Sequence, residues 1–310
     1  MSQLDAVTGA FSYSGAAIAR DLLERGHQLR TLTGHPDRAP AGTTIDCRPL
    51  DFSDSEGLRA SLTGVHTLYN TYWVRFAHGA ISHQLAVANS RVLFAAAVGA
   101  GVQRIVHVSI TNPSRDSPDS YFRGKAAVEQ ALADSDVPSY AIVRPAVLFG
   151  ADGVLVNNVA WLLRRLPVFA IGGSGDYRLR PVHVNDLAAL CTDRGSRTDT
   201  EVVDAVGPES LTFRQFVEAI RAAVGSRSLL MPVPGVLIPV LAGALNIALR
   251  DTLLTADEYQ SMAAGRADSA GPTTGPTVFT QWVQSHGDDL GRRYLNELDL
   301  HFRRPDAGTA

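Results

Sequence analysis

The first part of the chain alternates short apolar runs with segments whose apolar residues recur every three or four positions. The apolar runs predict strands at 4–8, 28–33, 44–50, 65–71, 104–110 and 140–143. The periodic segments predict helices at 16–25, 53–62, 80–99 and 121–133, with Ser53 and Glu56 forming a capping box. Because such alternation needs right-handed crossovers, we expect an α/β fold built on a doubly wound parallel sheet.

A glycine-containing turn follows the first predicted strand and leads into the first predicted helix. In a strand–turn–helix unit, such a turn brings backbone N–H groups against the pyrophosphate of a dinucleotide. Gly9 would permit the tight turn and Gly15 close packing of helix on strand, while Ser12 stands where a third glycine is common. The sequence thus predicts a Rossmann-type site, with an ordinary turn as the alternative. Its expected cofactor contacts are Gly9, Phe11, Ser12, Tyr13 and Gly15.

The end of the second predicted strand bears on the choice of cofactor. NAD sites usually carry an acidic residue there to bind the ribose hydroxyls. This chain has Thr33-Gly34-His35-Pro36-Asp37-Arg38, with no acid at the strand tip. Thr33, His35 and Arg38 suit a 2′-phosphate, which favours NADP while NAD stays possible. Arg38 could also be a solvated loop charge.

The ends of the third and fourth predicted strands add further candidates. Asp51 and Phe52 are expected beside the adenine, although Phe52 could serve packing alone. Thr71 and Tyr72 are expected along the adenosine and pyrophosphate. Together with Trp73 and Phe76, Tyr72 could also form a wall of a hydrophobic substrate pocket or pack beneath a lid, and the position at a strand end favours the wall.

Beyond Gly150 the alternation loosens, which suggests a smaller and mainly helical C-terminal region for substrate. We assign 1–205 to the cofactor domain, with 151–180 contributing to the substrate side, and 206–305 to the substrate region. The stretch 229–249 carries no charge, but three prolines interrupt its first half. A buried helix starting near Pro234 or Pro239 and lining a substrate pocket is favoured over a transmembrane span or peripheral membrane contact.

Composition narrows the classes of function. The chain has 310 residues and a net charge of −3, so no basic surface for nucleic acid is expected. Two distant cysteines, no signal peptide and no metal-ligand spacing fit a cytoplasmic protein without stable membrane insertion or a metal. His107, inside a predicted central strand, is interpreted as a satisfied core histidine. The oligomeric state cannot be inferred.

Taken in order, these motifs resemble the extended and atypical short-chain dehydrogenase/reductases. The branch is that of NAD(P)-dependent epimerase/dehydratase-like proteins and their complex I subunit-like relatives. The residues that carry the resemblance are Thr8-Gly9-x-x-Ser12-x-x-Gly15, Leu50-Asp51-Phe52, Asn89, 105–109, Tyr121-x-x-x-Lys125, Val143-Arg144-Pro145 and 181–188. The series is specific for the superfamily and uninformative about the reaction.

The resemblance implies roles for individual residues. Tyr121 would be the general acid/base, Lys125 would bind the nicotinamide ribose and favour the phenolate, and Ser109 would orient the substrate. Asn89 would support Lys125 through water, and Pro145 would lie at the cofactor. Two departures from the pattern are the short, proline-interrupted segment before Tyr121 and a single serine in place of a pair.

Two functions follow from these assignments. The first is an NAD(P)-dependent oxidoreductase, or an epimerase/dehydratase-like enzyme, acting on a small, partly apolar carbonyl or hydroxyl substrate. The second is an NADP(H)-binding redox sensor or assembly factor without turnover. They differ in whether Tyr121 is catalytic.

Overall fold

A computed structural model describes residues 3–77 and 79–301 and divides the chain into two compact units. Unit 1 comprises the chain up to 146 together with 182–206 and 271–275. Unit 2 comprises 147–181, 207–270 and the chain from 276 onward. The assignment of 151–180 and 206–305 to substrate binding stays a prediction, and residues 302–305 of that region lie outside the described chain.

Both units are built from short strands and helices. The strands are β1 (Leu4–Thr8), β2 (Gln28–Thr33), β3 (Asp46–Pro49), β4 (Thr67–Asn70), β5 (Arg104–Val108), β6 (Ser139–Pro145), β7 (Leu148–Phe149), β8 (Val168–Gly172), β9 (Arg178–Leu179), β10 (Val182–His183), β11 (Glu201–Ala205), β12 (Leu211–Thr212) and β13 (Leu229–Val233). The helices are α1 (Tyr13–Glu24), α2 (Ser55–Leu62), α3 (His83–Gly99), α4 (Ser120–Ala133), α5 (Val154–Arg165), α6 (Val184–Gly195), α7 (Phe213–Ala223), α8 (Ile238–Leu249), α9 (Ala256–Ala263), α10 (Phe279–His286) and α11 (Glu297–His301). Single 3₁₀ turns cover Pro36–Arg38 and Gly235–Leu237.

Unit 1 is built on a seven-stranded sheet in the order β11-β6-β5-β4-β1-β2-β3. Every neighbouring pair in this sheet runs parallel. The direction of winding reverses between β1 and β4, and in open α/β sheets that is where ligands bind, beyond the carboxyl ends of the strands. The predicted doubly wound parallel sheet is confirmed.

Helices cover the sheet on both faces. α2, α3 and α4 pack side by side, and α1 packs against α6. The core beneath the first group draws on strands and helices alike. Its fully buried members include Ala6, Leu68 and Ile105 from the sheet and Leu93 and Val128 from the helices. Strands apolar on both faces are what a sheet covered on both sides requires.

Two predicted helix starts are corrected. α2 is capped by Asp54, whose carboxylate accepts a hydrogen bond from the Gly57 amide at 2.9 Å, so the expected Ser53 capping box is wrong. α3 begins at His83 and not at residue 80, because the hydroxyl of Ser82 accepts from the Leu85 amide at 3.1 Å. In both cases a nearby polar side chain satisfies a free helical N–H group.

Unit 2 has its own core, which Phe149, Phe216 and Phe279 share with apolar residues of α5, α7 and α10. β8 pairs with β13 in parallel, and β9 pairs with β12 antiparallel. The charge-free stretch 229–249 forms β13, a 3₁₀ turn and α8. The prediction of a buried helix is wrong, since within α8 only Ile238 and Ala242 are buried. Among the described residues, no helix combines the length and apolar character needed to cross a bilayer.

Candidate functional site

The glycine turn lies at the carboxyl end of β1, beside β2. Gly9 has φ +65°, a left-handed conformation that glycine adopts without strain, and its amide donates to the carbonyl of Leu32 at 2.9 Å. The Ser12 hydroxyl donates to the Gly9 carbonyl at 2.7 Å. A Cβ on Gly15 would lie 2.1 Å from that same carbonyl oxygen. The turn therefore requires glycine at both positions.

The turn opens directly into α1. Ser12 is the N-cap residue, yet its side chain makes no capping bond to the helix, and the first turn carries no acidic residue. The first amides of a helix have no intrahelical acceptor, and the helix dipole favours an anion beside them. Phe11 lies within the turn, and Tyr13 is the first helical residue. This arrangement suits a bound phosphate.

The predicted 2′-phosphate residues lie on the neighbouring loop. Thr33 ends β2, and its hydroxyl accepts from the His35 amide at 3.0 Å. Arg38 ends the 3₁₀ turn and is half-buried, while His35 is exposed. β2, which leads into this loop, adjoins the glycine turn through the Thr31 hydroxyl, which accepts from the Ala10 amide at 3.0 Å.

Two aromatic side chains, one following β3 and one following β4, are in contact at the carboxyl edge of the sheet. The rings of Phe52 and Tyr72 lie 4.6 Å apart at 49°. Asn89 donates to the Tyr72 hydroxyl at 2.8 Å, and burial raises the pKa of that phenol. Asp51 is exposed, and hydrogen bonds from the Ser53 side chain and amide hold its pKa below the ordinary value. The expected support of Lys125 by Asn89 through water stays a prediction.

A buried polar network joins the ends of β1, β4 and β5. The Thr8 hydroxyl donates to the Asn70 amide oxygen at 3.1 Å, and Thr71 donates to the Thr8 carbonyl at 2.6 Å. The Asn70 side-chain nitrogen lies 3.0 Å from Nδ1 of His107. His107 is fully buried, so the predicted core position is confirmed, but only Nδ1 is partnered and Nε2 has no hydrogen-bond partner among the described residues. Burial, reinforced by the charge of Lys125, holds its pKa well below the usual range.

Lys125 projects from α4 into this part of unit 1 and is 3% exposed. Its ammonium donates to the Val108 carbonyl at 2.9 Å and lies 4.8 Å from the centre of the Trp73 ring. Burial lowers the pKa of Lys125 to about 7, against the opposing effect of Glu129. The Glu129 carboxylate is itself held by two hydrogen bonds from Arg144.

Tyr121 stands one helical turn before Lys125, in a cluster of aromatic side chains. The rings of Trp73 and His83 stack at 5.7 Å, and both meet the Tyr121 ring edge-on. Nδ1 of His83 lies 2.8 Å from the Ser120 hydroxyl. A Cβ on Gly124 would lie 2.7 Å from the Trp73 ring, so this glycine allows the indole to rest on α4.

The remaining predicted residues, Ser109 and Pro145, flank the ends of β5 and β6. Ser109 is 3% exposed, and its hydroxyl has no hydrogen-bond partner within the described parts of the chain. Its amide donates to the Val143 carbonyl at 2.7 Å. The Pro145 carbonyl accepts from the Thr111 amide at 3.0 Å. Ser109 thus offers an unused hydroxyl at the carboxyl edge of the sheet.

The structure adds Asn70, His83, Gly124 and a covering role for Trp73 to the predicted set. A glycine inside a helical pattern signals a close approach, so Gly124 carried a readable sign. The contacts of Asn70 and His83 join residues 37 positions apart and have no local signature.

Comparisons with known proteins relate this chain to NAD(P)-binding proteins. Residues 9–158 match a family model described as NAD(P)H-binding. The 40 kDa subunit of mitochondrial NADH-ubiquinone oxidoreductase from Neurospora crassa is 29% identical over 161 residues, which cover 51% of this chain and 42% of that subunit. The chain spans about half the length of the mitochondrial subunits that it matches.

Two further proteins are similar over more of their length. A 4-hydroxy-2-methyl-3-oxo-4-farnesyl-3,4-dihydroquinoline-1-oxide ketoreductase from Stigmatella aurantiaca is 27% identical over 249 residues, covering 71% of this chain and 75% of that protein. An NADPH-dependent quinone oxidoreductase from Escherichia coli, crystallised with NADPH, superposes with a TM-score of 0.74 at 21% identity, covering 91% of this chain and 99% of the other. At that identity the likeness shows the fold.

Proposed function

Since the chain belongs to the extended, short-chain dehydrogenase/reductase-like family of NAD(P)-binding proteins, we propose that it is an NADP(H)-dependent oxidoreductase. Its substrate would be a small carbonyl compound with an apolar part. The observation that carries the proposal is the pair Tyr121 and Lys125 on one face of α4, with the amine of Lys125 held against the carboxyl end of β5.

In this proposal each residue has one role in binding or catalysis. The amides at the start of α1 would bind the pyrophosphate, and Thr33 with Arg38 the 2′-phosphate. Lys125 would donate to the hydroxyls of the nicotinamide ribose. The bound cofactor supplies the hydride. Ser109, whose hydroxyl is buried and unpartnered among described residues, would donate to the substrate oxygen, and Tyr121 would deliver a proton to it.

The proposed substrate class is a conjugated carbonyl compound such as a quinone. Trp73, Tyr72 and Phe76 supply apolar rings beside the polar groups of unit 1. The similar proteins are named for ubiquinone, quinones and a farnesylated ketone, which combine a reducible carbonyl with apolar bulk. An epimerase or dehydratase would use the same residues on a hydroxyl substrate.

A second candidate is an NADP(H)-binding protein without turnover. The observation that favours it is the cover over Lys125, whose amine is occupied by the Val108 carbonyl and overlain by Trp73. A lysine held in this way can support cofactor binding while Tyr121 takes no part in chemistry. The two candidates predict the same cofactor affinity and different turnover.

The test is Tyr121→Phe, with Tyr140→Phe as the matched control. Tyr140 lies in β6 against the core of unit 1 and outside the site. NADPH binding would be followed by its fluorescence, and oxidation would be screened with quinones, aldehydes and nucleotide sugars. For the enzyme we expect loss of about 10²-fold or more in turnover for Tyr121→Phe, with NADPH affinity within about twofold of wild type.

Two results would count against parts of this proposal. Unchanged turnover in Tyr121→Phe removes Tyr121 from the mechanism, although the chain would still be an oxidoreductase. Tight NADPH binding by the wild-type chain with no consumption across the whole screen favours the binding protein.

A further inference from the structure

One surface of unit 2 is apolar, exposed and free of charge. No charged residue occurs between Arg227 and Arg250. Val236 is 80% exposed, Val240 67% and Ile247 82%, and Leu237 and Leu241 are exposed beside them. Spacings of four and seven residues place these side chains on one side of the 3₁₀ turn and α8. We call this set of five residues the apolar face.

The apolar surface continues onto the neighbouring strands. Leu229 and Met231 of β13 are exposed, and so is Val168, which pairs with Leu229 in the parallel β8–β13 ladder. Scattered exposed apolar residues are ordinary on a protein surface, but a contiguous set rimmed by polar residues marks an interaction site.

α8 is held in place from its other side. Ile238 and Ala242 are its buried residues. The Asn246 side chain accepts from the Leu253 amide at 2.8 Å and donates to the Leu254 carbonyl at 3.2 Å. Just beyond the helix, the Asp251 carboxylate accepts from the Tyr294 hydroxyl at 2.6 Å. The apolar face is therefore not needed to anchor the helix.

The charges at the two ends of the stretch indicate what covers it. Arg227 and Arg250 are both exposed. Asp251, next to Arg250, is 5% exposed and engaged within its own unit. In a second copy of the chain, the same stretch would offer arginine and apolar side chains but no acid between residues 227 and 250, so it gives two copies no charge complementarity. A surface of phosphate headgroups over acyl chains complements both features.

We propose that the apolar face docks this chain on an anionic lipid bilayer. The five side chains enter the boundary between headgroups and acyl chains, and Arg227 and Arg250 contact lipid phosphates. α8 lies in the plane of the membrane, since its 12 residues are about 18 Å long against a hydrocarbon core of about 30 Å. The inference goes beyond the proposed reaction, because docking needs neither cofactor nor turnover.

The experiment measures co-sedimentation of the full chain with vesicles, without cofactor. One set of vesicles is phosphatidylcholine alone, and the other is phosphatidylcholine mixed with phosphatidylglycerol. The test variant is Val240→Glu with Ile247→Glu. The matched control is Leu23→Glu with Leu85→Glu, which places two acids at exposed leucines of α1 and α3 in unit 1. Circular dichroism and NADPH binding check that each variant is folded.

We expect the wild-type chain to bind the mixed vesicles. Removing the anionic lipid should weaken binding about fivefold for each arginine in contact. The test variant should lose about tenfold for each aliphatic side chain replaced, about 100-fold in all, and the control less than about threefold. Binding to neither kind of vesicle, or equal loss in test and control, overturns the proposal.

Sedimentation equilibrium tests whether a second copy of the chain, and not a membrane, covers the apolar face. A concentration-dependent dimer that Val240→Glu with Ile247→Glu converts to a monomer would make the apolar face a self-association surface and overturn membrane docking. Because vesicle binding and NADPH oxidation are measured separately, failure of either proposal leaves the other intact.

Discussion

Lys125 is the only lysine in a chain that contains 28 basic residues in all, counting arginine and lysine together. Its ammonium is buried against one carbonyl and one indole ring. An arginine cannot lose its proton in such a place, whereas a lysine can. We therefore predict that Lys125 is largely neutral above about pH 7 in the cofactor-free protein, and that cofactor binding restores its proton.

The magnitude follows from the pKa of about 7. If the ribose hydroxyls bind the ammonium form, NADPH affinity should fall with rising pH above 7, and the slope should approach about tenfold for each pH unit. Binding of NADPH near pH 8.5 should then take up close to one proton. The 2′-phosphate titrates near pH 6, below this window. Lys125→Met should bind NADPH more weakly and without this pH dependence.

Stability and affinity should change with pH in opposite directions: as pH rises above 7, NADPH affinity should fall and the stability of the cofactor-free protein should rise. Burial lowers the pKa of Lys125 from 10.5 to about 7, so the unfolded chain binds more protons between these values. Without cofactor, the free energy of unfolding should therefore rise with pH from about 7, by roughly 1 kcal/mol for each pH unit. Below pH 7 both states are charged and the gain is absent. Measured as the difference between wild type and Lys125→Met, the effect is separated from the buried Cys191 thiol, which has the opposite sign at higher pH.

The assay uses the uniqueness of this residue. A chain labelled with ¹³C-lysine gives a single lysine side-chain signal, whose titration reports the pKa directly. Calorimetry of NADPH binding in buffers of different ionisation enthalpy gives the proton uptake. A titration midpoint near 10.4 with and without NADPH, or equal proton uptake in wild type and Lys125→Met, would refute the reasoning.

Three further predictions test other parts of the site. Gly15→Ala should lower NADPH affinity by about 100-fold or more and destabilise unit 1, because its Cβ would lie 2.1 Å from the Gly9 carbonyl. Calorimetry would measure the affinity and thermal unfolding the stability. The control is Gly243→Ala, whose Cβ has open space around it, and which should leave affinity unchanged and stability unchanged or slightly higher. Arg38→Ala should weaken NADPH about tenfold and NADH less than about twofold in fluorescence titrations, and equal losses would contradict a 2′-phosphate contact. Gly124→Ala should displace the indole that covers the lysine, cost about 1–3 kcal/mol in denaturant unfolding and raise the lysine pKa in the same NMR titration, while an unchanged pKa would show that the indole does not determine it.

Much of the nucleotide side of the fold could be predicted because its determinants are local. The apolar runs, the glycine turn and the alternation with helices each lie within a few residues, and this alternation with right-handed crossovers predicts the parallel, doubly wound sheet. The steric demand on Gly15 is also local, since its neighbour is only six residues away. The helix starts were less predictable. Whether Ser53 or Asp54 caps α2 depends on small differences in backbone direction, and Ser53 bonds Asp51 instead.

Contacts that join distant segments could not be predicted from local patterns. The sequence predicts His107 as a core residue because it lies within an apolar central strand. Which ring nitrogen has a hydrogen-bond partner depends on the position of Asn70 on the neighbouring strand, which the sequence does not reveal. The same limit explains the error at 229–249. Absence of charge indicates removal from water, yet it does not distinguish removal into the core of the same unit from removal by another surface. Because Asn246 and the buried residues of α8 hold the helix from one side only, its other side is left exposed. The lack of charge on that side therefore does not indicate burial in the core. A charge-free stretch with prolines at its start and arginines at both ends can therefore form an exposed apolar surface instead of a part of the core.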